Sequence, residues 1–200
     1  MKYTIGYDIG SSSVKIALVE ANSNRKMAVI SEPHEEMPIL AIKANWAEQD
    51  PEMWWQHLCV GTQRILSENN VNANQILAIG ISYQMHGLVV LDKNKALLRD
   101  SIIWCDSRAV AIGEKAAQDI GEEKFGTRLF NVPGNFTASK LKWVKDNEPH
   151  IYEKIAYYML PGDFIAYKFT GEIATTINGL SEGMLWDFKE KKVANWLLDY

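Results

Sequence analysis

The stretch YDIGSSSVK, Tyr7 to Lys15, gathers a carboxylate, a glycine, three hydroxyls and an amine in one short segment. Gly10 permits a tight loop whose backbone N–H groups turn toward one point, and Ser11, Ser12 and Ser13 add hydroxyl donors. Together they form a cradle for phosphate oxygens. Asp8 by itself would repel phosphate, but it can hold Mg²⁺ against the phosphates, directly or through water. Lys15 adds positive charge if it faces the loop. The same residues would also serve a plain hairpin whose serines cap the turn. No Walker A sequence decides between the two: Gly121 and Gly126 have the glycine spacing, but Thr127 and Arg128 stand where Lys and Ser or Thr are needed.

Three other stretches carry chemistry. YQMHGL, Tyr83 to Leu88, follows the apolar run ILAIGIS, at the strand end where open α/β sheets present ligand-binding groups. Gln84 and His86 both donate and accept hydrogen bonds there, beside Met85, and Gly87 permits close approach. A histidine that merely packs in a turn is the plainer alternative. IIWCDSR delivers Trp104, Asp106 and Arg108 at alternating positions, an aromatic wall and polar groups that suit a sugar. Asp106 would equally cap the following helix and pair with Arg108. NFTASKLKWVKDNEP, from Asn135, reads as an amphipathic helix capped by Thr137, with a solvated lysine face. The aromatic residues of EQDPEMWW read as packing.

These residues need a scaffold. Tyr3 to Tyr7, Ser13 to Glu20 and Lys26 to Glu32 are β-rich segments divided by the turns DIGSS and ANSNR, an antiparallel meander. Asp50 is a good N-cap and Pro51 suits the first helical position, and Trp54, Leu58, Thr62, Ile65 and Leu66 share a face, predicting a helix over 51–69. Ile76 to Ser82 has the pattern of a buried central strand, and LVVLDKNKALL that of a hairpin turning at Lys93 and Asn94. From Asp106 onward the pattern is helical, with starts near Asp106, Thr137 and Pro161 and a stop at Gly171. The expected fold is therefore α/β, a mixed sheet flanked by helices.

Two hundred residues at 47% hydrophobic composition can bury one substantial core, and no apolar run of roughly eighteen residues offers a membrane span. A formal charge of −4 without a basic block argues against nucleic acid or an anionic membrane as partner. Cys59 and Cys105 are too few for a disulfide framework or a zinc site, and MKYTIGYDIG lacks the apolar core of a signal peptide, so the cytoplasm is the expected compartment. The closing KKVANWLLDY carries no stop signal, and the chain is expected to continue.

The order and spacing of YDIGSSSVK, WAEQDPEMWW, GISYQMHGLVVLD, IIWCDSR, FTASKLKWV and LPGDFIAYKFTGE resemble the FGGY carbohydrate kinases, and among them the branch that phosphorylates xylulose. The resemblance implies an actin-like, ribonuclease-H-like domain, with residues 1–200 as an incomplete N-terminal sugar-binding and phosphate-loop domain. It implies ATP and Mg²⁺, with Asp8 at the Mg-ATP site, Met85 and His86 on the sugar, and Trp104 and Asp106 lining the sugar pocket. The partner would be the C-terminal ATP-binding domain of the same protein, and a homodimer is left open. The implied reaction transfers the γ-phosphoryl group of ATP to the 5-hydroxyl of D-xylulose, with gluconate, ribulose or another polyol as alternative acceptors. A non-catalytic sugar-binding module and an actin-like ATPase are rivals of other classes. The family's general base is an aspartate in a Gly-Gly-x-Asp-like stretch expected beyond residue 200. Departures from the family pattern are Ser11 for threonine, Gly134 for proline, Asn135 for glycine or an aromatic residue, and Gly162 for lysine.

Overall fold

The computed structural model describes residues 1–200. Strands β1 (Tyr3–Ile9), β2 (Val14–Glu20) and β3 (Lys26–Glu32) form the expected antiparallel meander. Alternation puts Tyr3, Ile5, Tyr7 and Ile9 of β1 into the core and leaves Thr4, Gly6 and Asp8 on the other face. The short strand β4 (Glu48–Gln49) precedes helix α1 (Pro51–Glu68). Asp50 caps α1 by accepting a hydrogen bond from the Glu52 N–H, and Pro51 opens its first turn. The helix buries Trp54, Leu58, Gly61 and Ile65 on its inner face, which packs on β2 and β3.

Helix α1 is the crossover that lets the next strand, β5 (Ile76–Tyr83), lie parallel to β1, giving the sheet order β3-β2-β1-β5. Two parallel neighbours end at the same edge of a sheet. Asp8 therefore stands beside Ser82 and Ile9 beside Tyr83, and the segments that leave both strands start side by side.

The expectation of a buried central strand at Ile76 to Ser82 needs correction. β5 is the edge of the four-stranded sheet, and Leu77 and Ile79 are 60% and 46% exposed. A continuous apolar run reports that both faces of a strand are apolar, not which faces the rest of the chain covers. Here Ile76, Ile81 and Tyr83 pack against the main core and the middle of the strand does not.

The second half of the chain is built from short elements. β6 (Val89–Leu91) turns through Asp92 to Ala96 and returns at Leu97, the hairpin read from the sequence. β7 (Ser101–Ile102) pairs with β4. Helices α2 (Val110–Ile120), α3 (Glu122–Arg128), α4 (Thr137–Asn147) and α5 (Pro149–Tyr152) lead to β8 (Tyr157–Met159), which pairs with β6. Helices α6 (Pro161–Thr170) and α7 (Ile177–Glu182), the hairpin β9 (Trp186–Asp187) with β10 (Lys192–Val193), and α8 (Asn195–Leu198) complete the chain. One core lies between the sheet and α1. Two smaller ones form around Trp143 and around Phe125. α6 starts at Pro161 and stops at Gly171, whose φ of +76° is the left-handed conformation that suits glycine.

Gly162 has a packing explanation. A Cβ built there would lie 2.0 Å from the Tyr83 ring, so α6 can approach the end of β5 only without a side chain at this position. Gly162→Ala is expected to destabilise the protein by about 1–3 kcal/mol, because the ring must leave its place at the end of β5. Chemical denaturation checks this; an unchanged midpoint would mean that Tyr83 swings aside without cost.

Candidate functional site

Between the ends of β1 and β5 lies an open cleft with room of about 430 Å³. It is lined by Asp8, Gly10, Ser11, Ser12, Ser13 and Lys15 from the first loop, by Tyr83, Gln84 and Met85 from the second, and by Trp104. The parallel pairing of β1 with β5 brings these loops together although almost seventy residues of chain separate them.

The serine loop is shaped by its own backbone. The Gly10 N–H donates to the Ser13 carbonyl at 3.1 Å, and the Met37 N–H donates to the Ser12 carbonyl at 2.8 Å. A Cβ on Gly10 would come within 3.0 Å of the Ser13 oxygen, so the turn is tight at that residue. The amides of Ser11, Ser12 and Ser13 donate to no protein acceptor, which leaves three N–H groups for an anion. Gln49, which the sequence reading did not single out, donates from Nε2 to the Ser11 carbonyl at 2.7 Å and accepts from Trp54 Nε1 at 3.1 Å, so the start of α1 braces the loop. Asp8 and Lys15 are cross-strand neighbours with 3.7 Å between Oδ2 and Nζ, both well exposed, an ion pair of little energetic weight.

The second loop is held more tightly. The Gln84 N–H extends the β1–β5 pairing by donating to the Ile9 carbonyl at 2.8 Å. His86 has a φ of +60°, uncommon for a residue with a side chain. Three side chains from other elements fix it there. Glu182, at the end of α7, accepts from the His86 N–H at 2.6 Å; Lys140 on α4 donates to the His86 carbonyl at 2.7 Å; and the Thr137 hydroxyl donates to the Gly87 carbonyl at 3.2 Å. Thr137 thus acts as a loop clamp and not as the helix cap expected of it: the cap position is Phe136, which has no side-chain acceptor.

Trp104 closes the cleft, and Asn135 holds its main chain. Trp104 Nε1 donates to Ser11 Oγ at 3.2 Å, which ties the aromatic wall to the serine loop, and Asn135 Nδ2 donates to the Trp104 carbonyl at 2.9 Å. Three buried polar atoms near this end have no partner: Gln84 Oε1, whose residue lines the cleft, and His86 Nδ1 and Asn135 Oδ1, whose residues stand outside its lining. Unpaired buried groups are costly, and a ligand hydroxyl in the cleft would satisfy Gln84 Oε1. Burial, reinforced by the Lys140 charge, holds His86 below the ordinary histidine pKa, so its ring is neutral at pH 7 and both donates and accepts. Burial pushes the Glu182 carboxyl up, and both burial and the nearby Glu182 push the Tyr83 phenol up.

Asp106 and Arg108, expected on the sugar, do not reach the cleft. Asp106 is fully buried, accepts from the Ala47 N–H at 2.6 Å and holds the Arg108 guanidinium through both oxygens. Arg108 also pairs with Glu48 at 2.6 Å and lies over the Trp46 ring at 3.7 Å from its centroid. Arg99 joins the network by bonding Glu48 and Glu148. The pairing of Asp106 with Arg108 read from IIWCDSR holds, but Asp106 does not cap α2, whose cap position is Ala109 without a side-chain bond, and only Trp104 faces the cleft.

Of the lysines in the stretch expected to carry a solvated lysine face, Lys140 is fully buried. Its neighbours on the inner face of α4 are Thr137, Trp143 and Val144, and that i, i+3, i+4 spacing was the available sequence signal. Glu182 had none, since its partner is a main-chain N–H nearly a hundred residues away.

With this geometry the relationships of the chain can be read. A model of the N-terminal domain of the FGGY family of carbohydrate kinases matches residues 3–200. The chain belongs to the FGGY family of carbohydrate kinases. It is 36% identical over 200 residues to the xylulose kinase of Bacillus subtilis (strain 168), a match that covers 98% of this chain and 38% of that protein. A solved xyloylose kinase from Brucella ovis superposes with a TM-score of 0.90 at 27% identity, over 98% of this chain and 40% of the other. A gluconate kinase from Lactobacillus acidophilus superposes at 0.86 with 24% identity, over 99% of this chain and 39% of the other, so the fold alone does not choose the acceptor. The actin-like mixed sheet expected from the sequence is the fold these family members share. No helix is long and apolar enough to cross a membrane.

The buried network yields a discriminating prediction. Asp106→Ala leaves Arg108 buried with one partner fewer and is expected to cost about 3–5 kcal/mol of stability. Denaturation and sugar titration on the same variant separate the two roles: lost stability marks a structural residue, whereas weakened sugar binding at unchanged stability would return Asp106 to the site.

Proposed function

We propose that this chain is the acceptor-binding and phosphate-loop part of an ATP-dependent kinase that phosphorylates the 5-hydroxyl of D-xylulose. The supporting observation is the single cleft in which a loop of three free amides beside Asp8 faces a loop with unpaired polar atoms beside Trp104. Phosphoryl transfer requires an anion cradle and an alcohol held in line with it. The chain spans 38% of the Bacillus subtilis relative, and the adenosine-binding C-terminal domain and the general base are assigned to the remainder of the protein. Among the residues lining the cleft, Asp8 is the only carboxylate, and no cluster of three His, Cys, Asp or Glu side chains forms a metal cage. That donor set fits Mg²⁺, which needs only one or two carboxylates when phosphate oxygens and water complete its shell. Asp8 would hold the ion, which when bound neutralises charge on the transferring phosphates. The amides of Ser11 to Ser13 would orient the phosphate oxygens. Gln84, His86 and Asn135 would bind sugar hydroxyls, with Trp104 and Met85 against the carbon face.

The charge at the acceptor end favours a neutral ketose over a sugar acid. Lys140 is committed to main-chain carbonyls and Arg108 to Asp106 and Glu48, so neither is free for a carboxylate. Full-length enzyme is expected to release ADP with D-xylulose far faster than with gluconate; a preference for gluconate would overturn the assignment.

Two substitutions test the division of labour. Asp8→Ala should lower kcat by about 100-fold or more while sugar affinity changes little. His86→Ala should weaken ketose binding by about 1–3 kcal/mol and leave the KM for ATP unchanged. Because the His86 pKa lies below 6.5, wild-type sugar affinity should hold at pH 7 and fall only as acid protonates the ring. Calorimetric titration at several pH values checks both; pH-independent affinity would remove His86 from the sugar.

A further inference from the structure

Lys140 is a fully buried cation to which the proposed reaction assigns no role. Its side chain is fully buried, yet its ammonium meets no carboxylate at hydrogen-bonding distance. Nζ donates to the His86 carbonyl at 2.7 Å and to the Ile103 carbonyl at 3.0 Å. The first carbonyl belongs to the loop carrying Gln84, Met85 and His86. The second immediately precedes Trp104. One cation therefore bridges the main chains of both walls of the acceptor end, from a helix that contributes no side chain to the lining of the cleft.

The placement is costly. Burial lowers the Lys140 pKa to about 8, although Asp106, Cys105 and Glu182 favour its charge; Arg108 opposes it. A methionine or leucine would fill the same volume without that penalty, but it would leave two buried carbonyls unpaired and the two loops unconnected. His86 sits at a positive φ, a conformation that persists only when its surroundings over-determine it. Glu182 on its N–H and Lys140 on its C=O hold the same peptide segment from both ends.

We propose that Lys140 is a positioning residue that sets the spacing between the His86 loop and Trp104, and so admits sugar only when both walls are in register. This rests on the reading of the cleft as an acceptor site. The experiment has one arm that does not depend on it. In full-length Lys140→Met, hydrogen exchange should accelerate at 85–88 and at 103–106 together, while the solvent-facing turns of α4 keep their protection. In the same variant the KM for xylulose should rise about tenfold or more with the KM for ATP unchanged, since loops that are seldom in register lower apparent affinity by the fraction competent. Lys140→Arg, which keeps donors and charge, should recover part of both effects. Acceleration at neither loop, at one only, or across the whole of α4 would reduce Lys140 to a packing residue, whatever sugar the enzyme uses. Intact exchange coupling in an enzyme that ignores xylulose would instead sink the assigned substrate and leave the staple standing. If Lys140→Met does not fold, lysine-selective ¹⁵N spectra of the wild type decide: Nζ protons slow to exchange and titrating near pH 8 are expected, and fast-exchanging protons titrating near 10.5 would contradict the bridge.

Discussion

The parallel pairing of β1 with β5 is the constraint on which the site depends. Cα partners run from Tyr3 with Ile76 to Ile9 with Tyr83, and the Gln84 amide adds one more bond to the Ile9 carbonyl. Because the strands are parallel, both leave the sheet at the same edge, and adjacent strands are only about 4.8 Å apart. Everything the cleft contains follows from that edge. A serine loop that turns back at once into β2 meets a second loop that leaves the sheet altogether. An antiparallel β5 would have put Gln84 and His86 at the far end of the sheet from Asp8.

The pairing brings the loops together but does not fix their shape. That task falls to side chains from the helical half of the chain, through bonds to main-chain groups: Gln49 on Ser11, Thr137 on Gly87, Lys140 on His86 and Ile103, Glu182 on His86. Such bonds hold the backbone while leaving cleft-facing side chains free for a ligand. The Asp106–Arg108–Glu48 network does similar work underneath, anchoring the segment that ends in Trp104 to the β4 strand. The second half of the chain thus serves as a frame for loops that emerge from the first.

What could be read from the sequence follows the range of the interactions. The meander, the capped helix at Asp50, the hairpin after Val89 and the stop at Gly171 are decided by neighbours a few residues apart, and all were legible. The convergence of the Asp8 and His86 loops follows from the parallel pairing of β1 with β5, which joins residues more than seventy apart. Exposure of Leu77 and Ile79 was not legible, since it depends on what covers an edge. The burial of Lys140 and of Asp106 with Arg108 depends on two carbonyls, a main-chain N–H and a carboxylate brought from 37 to 60 residues away. Gly162 departed from the family pattern without a local reason, and the reason proved to be the Tyr83 ring on another strand.

The central claim is that one cleft holds both the phosphates and the alcohol that receives one of them. A crystal structure of the full-length enzyme with D-xylulose, Mg²⁺ and a non-hydrolysable ATP analogue tests it most directly. The account predicts the sugar within hydrogen-bonding distance of Gln84, His86 and Asn135, against Trp104, with its 5-hydroxyl directed toward a γ-phosphate bound over the amides of Ser11 to Ser13. A sugar bound elsewhere, or phosphates that leave those amides untouched, would contradict it.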